Sequence, residues 1–82
     1  MTRVPRDVSG DDLIRALERL GYVVTPQTGS HARVTTTLAG EHHVTVPRHD
    51  AIRVGTLSAI LGDVAGHLGR SRDALIDELF KG

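Results

Sequence analysis

The spacing of hydrophobic residues predicts an amphipathic helix near the start of the chain. The residues that recur at helical spacing are Leu13, Ile14, Leu17 and Leu20. Residues three and four apart share one helix face, so these side chains form a single apolar stripe. Ser9 is a typical N-cap residue, and the acidic residues soon after it stabilise a helix there because they lie near the positive end of its dipole. Gly21 is typical of the left-handed residue that follows a helix, so we place the helix between Ser9 and Gly21.

Three short strands are predicted after this helix, because the pattern changes to a period of two. Residues 22–25 are aromatic or β-branched and are stopped by Pro26. Residues 31–38 form the second strand, residues 39–41 suit a hairpin connection, and residues 42–47 return as the third strand. Connections this short imply that the strands form an antiparallel meander.

The second predicted strand places reactive side chains on its exposed face. Its even positions carry most of the apolar residues and its odd positions are polar, as in a half-buried strand. His31 and Arg33 therefore lie on the solvent side, where an imidazole and a guanidinium can together contact a phosphate. In the third strand, Val44 and Val46 are expected to face inward while His43 faces outward.

The last third of the chain returns to helical spacing. Its recurring hydrophobic residues are Leu57, Ile60, Leu61, Val64 and Leu68. They predict a second helix from residue 54 to about residue 65. Gly62 and Gly66 each lower helix stability by up to about 1 kcal/mol relative to alanine. We therefore expect residues 66–70 to form a connector, in which His67 is either a structural residue of the loop or a surface residue.

The order of these elements predicts an α+β fold, α-β-β-β-α(-α), in a single domain of residues 1–82. A final helix begins after the cap residue Ser71. Its hydrophobic stripe consists of Leu75, Ile76, Leu79 and Phe80. The apolar faces are buried most simply when the helices lie on one face of a three-stranded antiparallel sheet. Residues 1–8 have no periodic pattern, and we expect them to form a flexible arm.

Composition excludes several classes of protein and site. The absence of cysteine excludes disulfides and cysteine-ligated zinc. No apolar run has the length of a membrane span, and the first residues lack the apolar segment of a signal peptide. We therefore expect a cytoplasmic protein without a membrane partner. The formal net charge of zero argues against a strongly basic, nonspecific polyanion binder.

Charged residues are distributed unevenly along the chain. Between residues 22 and 60 the charged residues are Arg33, Glu41, Arg48, Asp50 and Arg53, whereas most acidic residues lie in the flanking segments. Arginine can contact a phosphate through two parallel hydrogen bonds. If Arg33, Arg48 and Arg53 converge near His31, the local field is positive although the total charge is zero. We therefore predict that these three arginines contact phosphate groups.

Neither a metal site nor a serine nucleophile is expected from the sequence. His42 and His43 are adjacent on a strand and therefore face opposite ways, and no predicted helix carries a His-x-x-x-His pair. Ser30 and His31 are also expected to face opposite ways, and no third group completes a catalytic triad. Ser30 is therefore expected to shape the turn. The sequence leaves open whether His49 and Asp50 approach His31 in space.

Five short motifs occur in a fixed order along the chain. They are residues 9–10, residues 15–22, the Gly29-Ser30-His31 motif, the segment 44–49 (Val-Thr-Val-Pro-Arg-His), and Gly55-Thr56-Leu57 with Ile60 and Leu61. In this order, covering roughly residues 8–80, they resemble the HicA (YcfA-like) mRNA interferase toxins. The resemblance implies a fold similar to the double-stranded-RNA-binding domain, RNA cleavage without a metal or another cofactor, and inhibition by a HicB-type antitoxin.

The resemblance assigns the catalytic role to His31, the histidine of the Gly-Ser-His motif. The residues expected to bind the substrate are Gly29, Ser30, Arg33, Arg48, His49 and Arg53. RNA carries a 2′-hydroxyl beside each phosphate, and an imidazole with a pKa near neutrality can take that proton or protonate the leaving oxygen. One imidazole does not easily do both, so a second group is needed, either His49 or a water.

Two alternatives from other functional classes remain open. One is a noncatalytic RNA-binding module on the same fold. The other is a small interaction protein whose exposed sheet edge pairs with a strand of its partner. Loss of RNA cleavage with retained RNA binding, on removal of the His31 side chain, would separate an enzyme from a binding module.

Overall fold

The chain folds in the predicted order of elements. The structure, a computed structural model, describes residues 3–25 and 29–81, except for the side chain of Lys81. Its elements are helix α1 (Gly10–Glu18), strands β1 (Val23–Thr25), β2 (His31–Thr36) and β3 (His42–Pro47), and helices α2 (Val54–Leu68) and α3 (Arg72–Ile76). A π-helical segment, Asp77–Lys81, continues directly from α3. The α+β order α-β-β-β-α-α is confirmed.

The three strands form one antiparallel sheet in the order β1-β2-β3. The register of β2 with β3 runs from His31 opposite Pro47 to Thr36 opposite His42. The buried residues of these two strands alternate along the chain and are Ala32, Val34, Thr36, Val44 and Val46. The residues between them are exposed or half-buried, which confirms the predicted alternation. Helices cover the buried face, since α1 and α2 both contact β3.

One hydrophobic core joins the sheet to the three helices. Its completely enclosed leucines are Leu13, Leu17, Leu57, Leu61 and Leu75. Burying one such side chain stabilises a fold by about 1.5–3 kcal/mol relative to leaving it in water. All five belong to the stripes that helical spacing predicted, so the predicted apolar faces meet in the core.

Helix α1 begins with a reciprocal capping box. The Ser9 hydroxyl accepts a hydrogen bond of 3.0 Å from the Asp12 N–H, and the Ser9 N–H donates to an Asp12 carboxylate oxygen at 3.4 Å. These bonds with Ser9, and then the neighbouring Arg15, lower the pKa of Asp12 below its ordinary value. Gly21 follows the helix with a φ of 98°, as the sequence predicted.

Helix α2 is longer than predicted, because it continues beyond Ala65 to Leu68. The prediction of a connector over residues 66–70 is therefore wrong at its beginning. Gly69, with a φ of 69°, is the left-handed residue that ends the helix. Gly66 lowers helix stability by about 1 kcal/mol relative to alanine. The packing of Leu68 against the core offsets this loss.

A contact between α2 and the β2–β3 hairpin accounts for the added turn of helix. Nε2 of His67 donates to the carbonyl oxygens of Leu38 and Gly40, at 2.9 and 3.1 Å. The His67 ring also stacks on the ring of His42, with centroids 4.3 Å apart. His67 is therefore half-buried against the hairpin and belongs to the helix, so its predicted position in a loop is wrong. Its contacts agree with the structural role that was one of the two interpretations.

The ends of several elements also differ from the predicted ones. Strand β2 ends at Thr36, two residues before Leu38, and β1 begins at Val23. Part of the predicted turn before β2 lies outside the described residues. In the expected N-terminal arm, Val8 is buried and its carbonyl accepts a hydrogen bond of 2.7 Å from the Ile52 N–H. No helix of the described part of the chain is both long and apolar enough to cross a membrane.

Candidate active site

The Gly-Ser-His motif forms the start of β2. Gly29 has a φ of 93°, a left-handed conformation that suits glycine, and the His31 side chain is exposed. Ser30 precedes the strand instead of belonging to it, so the strand alternation on which the expected opposite orientation of Ser30 and His31 rested does not apply to this pair. The Ser30 hydroxyl oxygen lies 3.4 Å from Nδ1 of His31, which is long for a hydrogen bond. The Ser30 carbonyl accepts a bond of 2.7 Å from the Arg48 N–H, which ties the motif to the segment after β3.

The side chain of His31 lines a cleft at the end of the sheet, which we refer to as the histidine cleft. It has a volume of about 360 Å³ and is lined by His31, Pro47, His49, Ile52, Arg53 and Thr56. Three of the predicted site residues, His31, His49 and Arg53, are therefore brought together. Another cleft, of about 380 Å³, lies between α1 and the C-terminal segment, and its lining contains no histidine. Imidazole chemistry therefore favours the histidine cleft as the candidate active site.

Two imidazoles, those of His31 and His49, line the histidine cleft with the edge of one ring directed toward the other. The ring centroids of His31 and His49 are 6.4 Å apart, and the ring planes are inclined at 62°. This separation is too long for a direct ring-to-ring hydrogen bond. Both side chains are exposed, so a ligand in the cleft can reach each ring. The question that the sequence left open, whether His49 approaches His31, is answered by this geometry.

The start of α1 holds the backbone of His49 in place. The Gly10 N–H donates to the His49 carbonyl at 2.9 Å, and the Ile52 N–H donates to the Val8 carbonyl at 2.7 Å. These two bonds fasten the loop between β3 and α2 to the N-terminal part of the chain. Gly10 permits this approach, because a β-carbon there would lie 2.6 Å from the Cα of Arg48. Sequence reasoning did not identify Gly10 as a site-forming residue, since only the tertiary contact makes it one.

The three predicted arginines take different positions. Arg53 lines the histidine cleft. Arg33 lies on the exposed face of the sheet, two residues or roughly 7 Å along the strand from His31. Arg48 is absent from the cleft lining and instead forms an ion pair of 3.2 Å with Asp11 at the start of α1. Both partners are more than half exposed, and such a pair contributes at most about 1 kcal/mol.

The cleft also contains residues that the sequence did not single out as site residues. Ile52 and Pro47 supply apolar walls, and Thr56 supplies a hydroxyl from the first turn of α2. Arg53 is the N-cap of that helix and makes no side-chain hydrogen bond to it. The first N–H groups of a helix have no intrahelical partner and carry a partial positive charge. One sequence signal could have indicated these free N–H groups: the residue before the helix is not serine, threonine, aspartate or asparagine.

The remaining histidines hydrogen-bond to protein groups away from the cleft. His43 lies 2.7 Å from a Glu41 carboxylate oxygen and 2.8 Å from the Thr35 hydroxyl. His42 and His67 stack at the other end of the sheet. In the described part of the chain, no three histidine, cysteine, aspartate or glutamate side chains are placed to hold a metal ion.

Comparison with known proteins finds one matching family. A family model described as the HicA toxin of bacterial toxin–antitoxin systems matches residues 10–65. The matched part runs from the start of α1 into α2, and it includes every residue that lines the histidine cleft. Neither the curated proteins nor the solved structures with which the chain was compared gave a match.

Proposed function

Because the chain belongs to the HicA toxin family of bacterial toxin–antitoxin systems, we propose that it is an endoribonuclease that cleaves mRNA without a metal ion. His31 is the catalytic residue in this proposal. The observation that carries it is the exposed His31 imidazole, which opens onto a cleft shared with the Arg53 guanidinium. An imidazole supplies proton transfer, and a guanidinium supplies charge for a phosphate.

The residues of the cleft have separate roles toward the RNA. The His31 ring contacts the reacting atoms, while Gly29 and Ser30 set the path of the backbone into β2. Arg53, together with the first N–H groups of α2, attracts the phosphate. Arg33 extends the positive surface along the strand toward a neighbouring phosphate. This local charge compensates for the formal net charge of zero.

A HicB-type antitoxin is the proposed protein partner. A toxin of this family requires an inhibitor, and the simplest inhibition is to cover the exposed histidine cleft. The cleft is accessible from solvent, and its histidine pair and Arg53 are exposed. We therefore expect the antitoxin to compete with RNA for this surface.

The test compares wild-type protein with His31→Ala in growth arrest and in cleavage of a purified mRNA. Loss of an acid–base group should reduce cleavage by about 10²–10⁴-fold. The exposed position of His31 predicts a stability change within about 0.5 kcal/mol. Cleavage by the wild type should persist in EDTA, because imidazole proton transfer needs no metal.

His43→Ala is the matched control, since it removes an exposed imidazole from β3 outside the cleft. It should keep full cleavage activity. Undiminished toxicity of His31→Ala would contradict the catalytic assignment. RNA binding by the wild type without any cleavage would instead support the noncatalytic RNA-binding module.

A further inference from the structure

We propose that His49 is a second catalytic residue and forms an acid–base pair with His31. This inference rests on the ribonuclease activity proposed above and adds a residue and a product to it. One imidazole of the pair accepts the proton of the RNA 2′-hydroxyl, and the other protonates the departing 5′-oxygen. The observation behind it is that the two rings share one cleft, with centroids 6.4 Å apart.

The separation of the rings fits a phosphate placed between them. In an in-line displacement, the attacking 2′-oxygen and the leaving 5′-oxygen lie on opposite sides of the phosphorus. Each oxygen needs a proton acceptor or donor at a hydrogen-bond distance of about 2.8 Å. His31 and His49 are too far apart to bond each other, yet close enough for both to reach the oxygens of a single phosphate.

The reaction balances with these two groups alone. The 2′-oxygen forms a bond to phosphorus while its proton passes to the neutral imidazole. The bond from phosphorus to the 5′-oxygen breaks, and that oxygen takes a proton from the imidazolium. The products are a 2′,3′-cyclic phosphate and a 5′-hydroxyl, and no water is consumed. The two imidazoles end with exchanged protonation states and return to the start by proton exchange with solvent.

The other histidines are unsuited to the second role. His43 hydrogen-bonds to Glu41 and Thr35, and His42 and His67 lie at the opposite end of β3 from the histidine cleft. Among the described residues, none hydrogen-bonds to the ring of His49, whose contact is with the ring of His31. The His49 nitrogens are therefore available to a substrate.

The backbone holds the pair in position before RNA binds. The Arg48 N–H bonds to the Ser30 carbonyl at 2.7 Å, which joins the residues that precede each histidine. The Gly10 N–H bonds to the His49 carbonyl at 2.9 Å. Fixing the geometry in this way reduces the entropy that must be lost when the transition state forms.

The experiment uses two RNA oligonucleotides of the same sequence. One is ordinary RNA, and the other carries sulfur in place of the leaving 5′-oxygen at the cleavage site. A thiolate leaves without protonation, because a thiol is far more acidic than an alcohol. The proteins are wild type, His31→Ala, His49→Ala, His49→Gln and the control His43→Ala. Circular dichroism and thermal melting check that each variant is folded.

Removal of His49 should lower cleavage of ordinary RNA by about 10²–10⁴-fold, in the alanine and the glutamine variant alike. The sulfur substrate should restore cleavage to the variant that lacks the acid and leave the variant that lacks the base inactive. The wild type should show a bell-shaped pH dependence of kcat/KM and form a cyclic phosphate.

The outcomes separate this inference from the proposed function. If His31→Ala abolishes cleavage while both His49 variants cleave like the wild type, the pair is overturned and the proposed ribonuclease activity stands. On the sulfur substrate, the pair predicts that the variants of one histidine regain cleavage and those of the other do not. Any other pattern would also overturn the pair. Absence of cleavage by the wild type on both substrates would overturn the ribonuclease itself.

Discussion

Gly10 and Pro47 approach so closely that position 10 has no room for a side chain. A β-carbon on Gly10 would lie 2.6 Å from the Cα of Arg48 and still closer to the carbonyl oxygen of Pro47. The Gly10 N–H meanwhile bonds to the carbonyl of His49. The N-terminal turn of α1 therefore sets the position of the segment that carries the second imidazole of the histidine cleft.

Replacing Gly10 by alanine should displace this segment and impair RNA cleavage. The clashing atoms belong to the backbone, so the strain cannot be relieved by rotation of a side chain. We expect a loss of about 1–3 kcal/mol in the free energy of unfolding, as for other overpacked sites. The cleavage rate should fall by more than the unfolded fraction of the variant explains, because the distance between His31 and His49 changes. Urea denaturation and cleavage rates measure the two effects.

Gly62→Ala is the control for Gly10→Ala. Gly62 also lies in a helix, but a β-carbon there meets no atom within 4 Å. Alanine should stabilise this position by up to about 1 kcal/mol through helix propensity and leave cleavage unchanged. If Gly10→Ala unfolds and cleaves like the wild type, the contact with Pro47 does not constrain the cleft.

Periodicity predicted the parts of the fold that depend on burial. Alternation in β2 correctly placed His31 and Arg33 on the exposed face, and the helical stripes correctly gave the core leucines. The length of α2 was mispredicted, because the contact of His67 with the carbonyls of the hairpin involves residues 27 and 29 positions away. Periodicity reports which face of an element is buried, and it carries no information on such distant partners.

The candidate site, like the fold, was predicted from the sequence only in part. The position of His31 followed from the strand pattern, and its proposed role from the family resemblance. The approach of His49 depends on the register that sets His31 opposite Pro47, which places residue 49 just beyond the paired strands. The pairing of Arg48 with Asp11 depends on how α1 packs against the end of β3. Charge counts along the sequence cannot reveal that packing.

The arginines are expected to contribute unequally to RNA binding. Arg53→Ala and Arg33→Ala should each weaken RNA binding. Each should also reduce the salt slope, that is, the slope of log affinity against log salt concentration, by about one, because a protein with one phosphate contact fewer releases fewer counterions from the RNA. Arg48→Ala should have a smaller effect, since its guanidinium pairs with Asp11. Binding is measured over a salt series in proteins that also carry His31→Ala, which prevents cleavage during the titration.

Asp11→Asn provides the complementary test of this charge arrangement. It removes the carboxylate that pairs with Arg48, so RNA affinity should rise. The same substitution combined with Arg48→Ala should bring no such gain. An unchanged salt slope in all three arginine variants would place the RNA elsewhere, and the arginines would then be assigned to the antitoxin interface.

A polar cluster joins β3 and α2 at the end of the sheet away from the histidine cleft. The Tyr22 hydroxyl lies 2.7 Å from Nδ1 of His42, and Nε2 of His42 lies 3.3 Å from an Asp63 carboxylate oxygen. The hydroxyl and the His42 ring therefore share a hydrogen bond, and the Asp63 carboxylate lies on the other side of that ring. Burial, and then the charge of Asp63, raise the pKa of Tyr22 above its ordinary value.

This raised pKa predicts a loss of stability at alkaline pH. Below the ordinary tyrosine pKa of about 10, Tyr22 is protonated in both the folded and the unfolded chain, and stability is complete. As the pH rises further, the unfolded chain loses its proton first. The folded state then binds more protons than the unfolded state, so the free energy of unfolding falls as the pH increases through the folded-state pKa.

Tyr22 is the only tyrosine and the chain has no tryptophan, so the ultraviolet absorbance of tyrosinate reports this residue alone. The midpoint of its titration should be higher in the folded protein than in urea. Asp63→Asn should lower the midpoint only in part, because burial is the larger cause. Tyr22→Phe should abolish the absorbance change and weaken the alkaline loss of stability, although it also removes the hydrogen bond to His42. Equal midpoints for the folded and the unfolded chain would show that neither burial nor Asp63 acts on this hydroxyl.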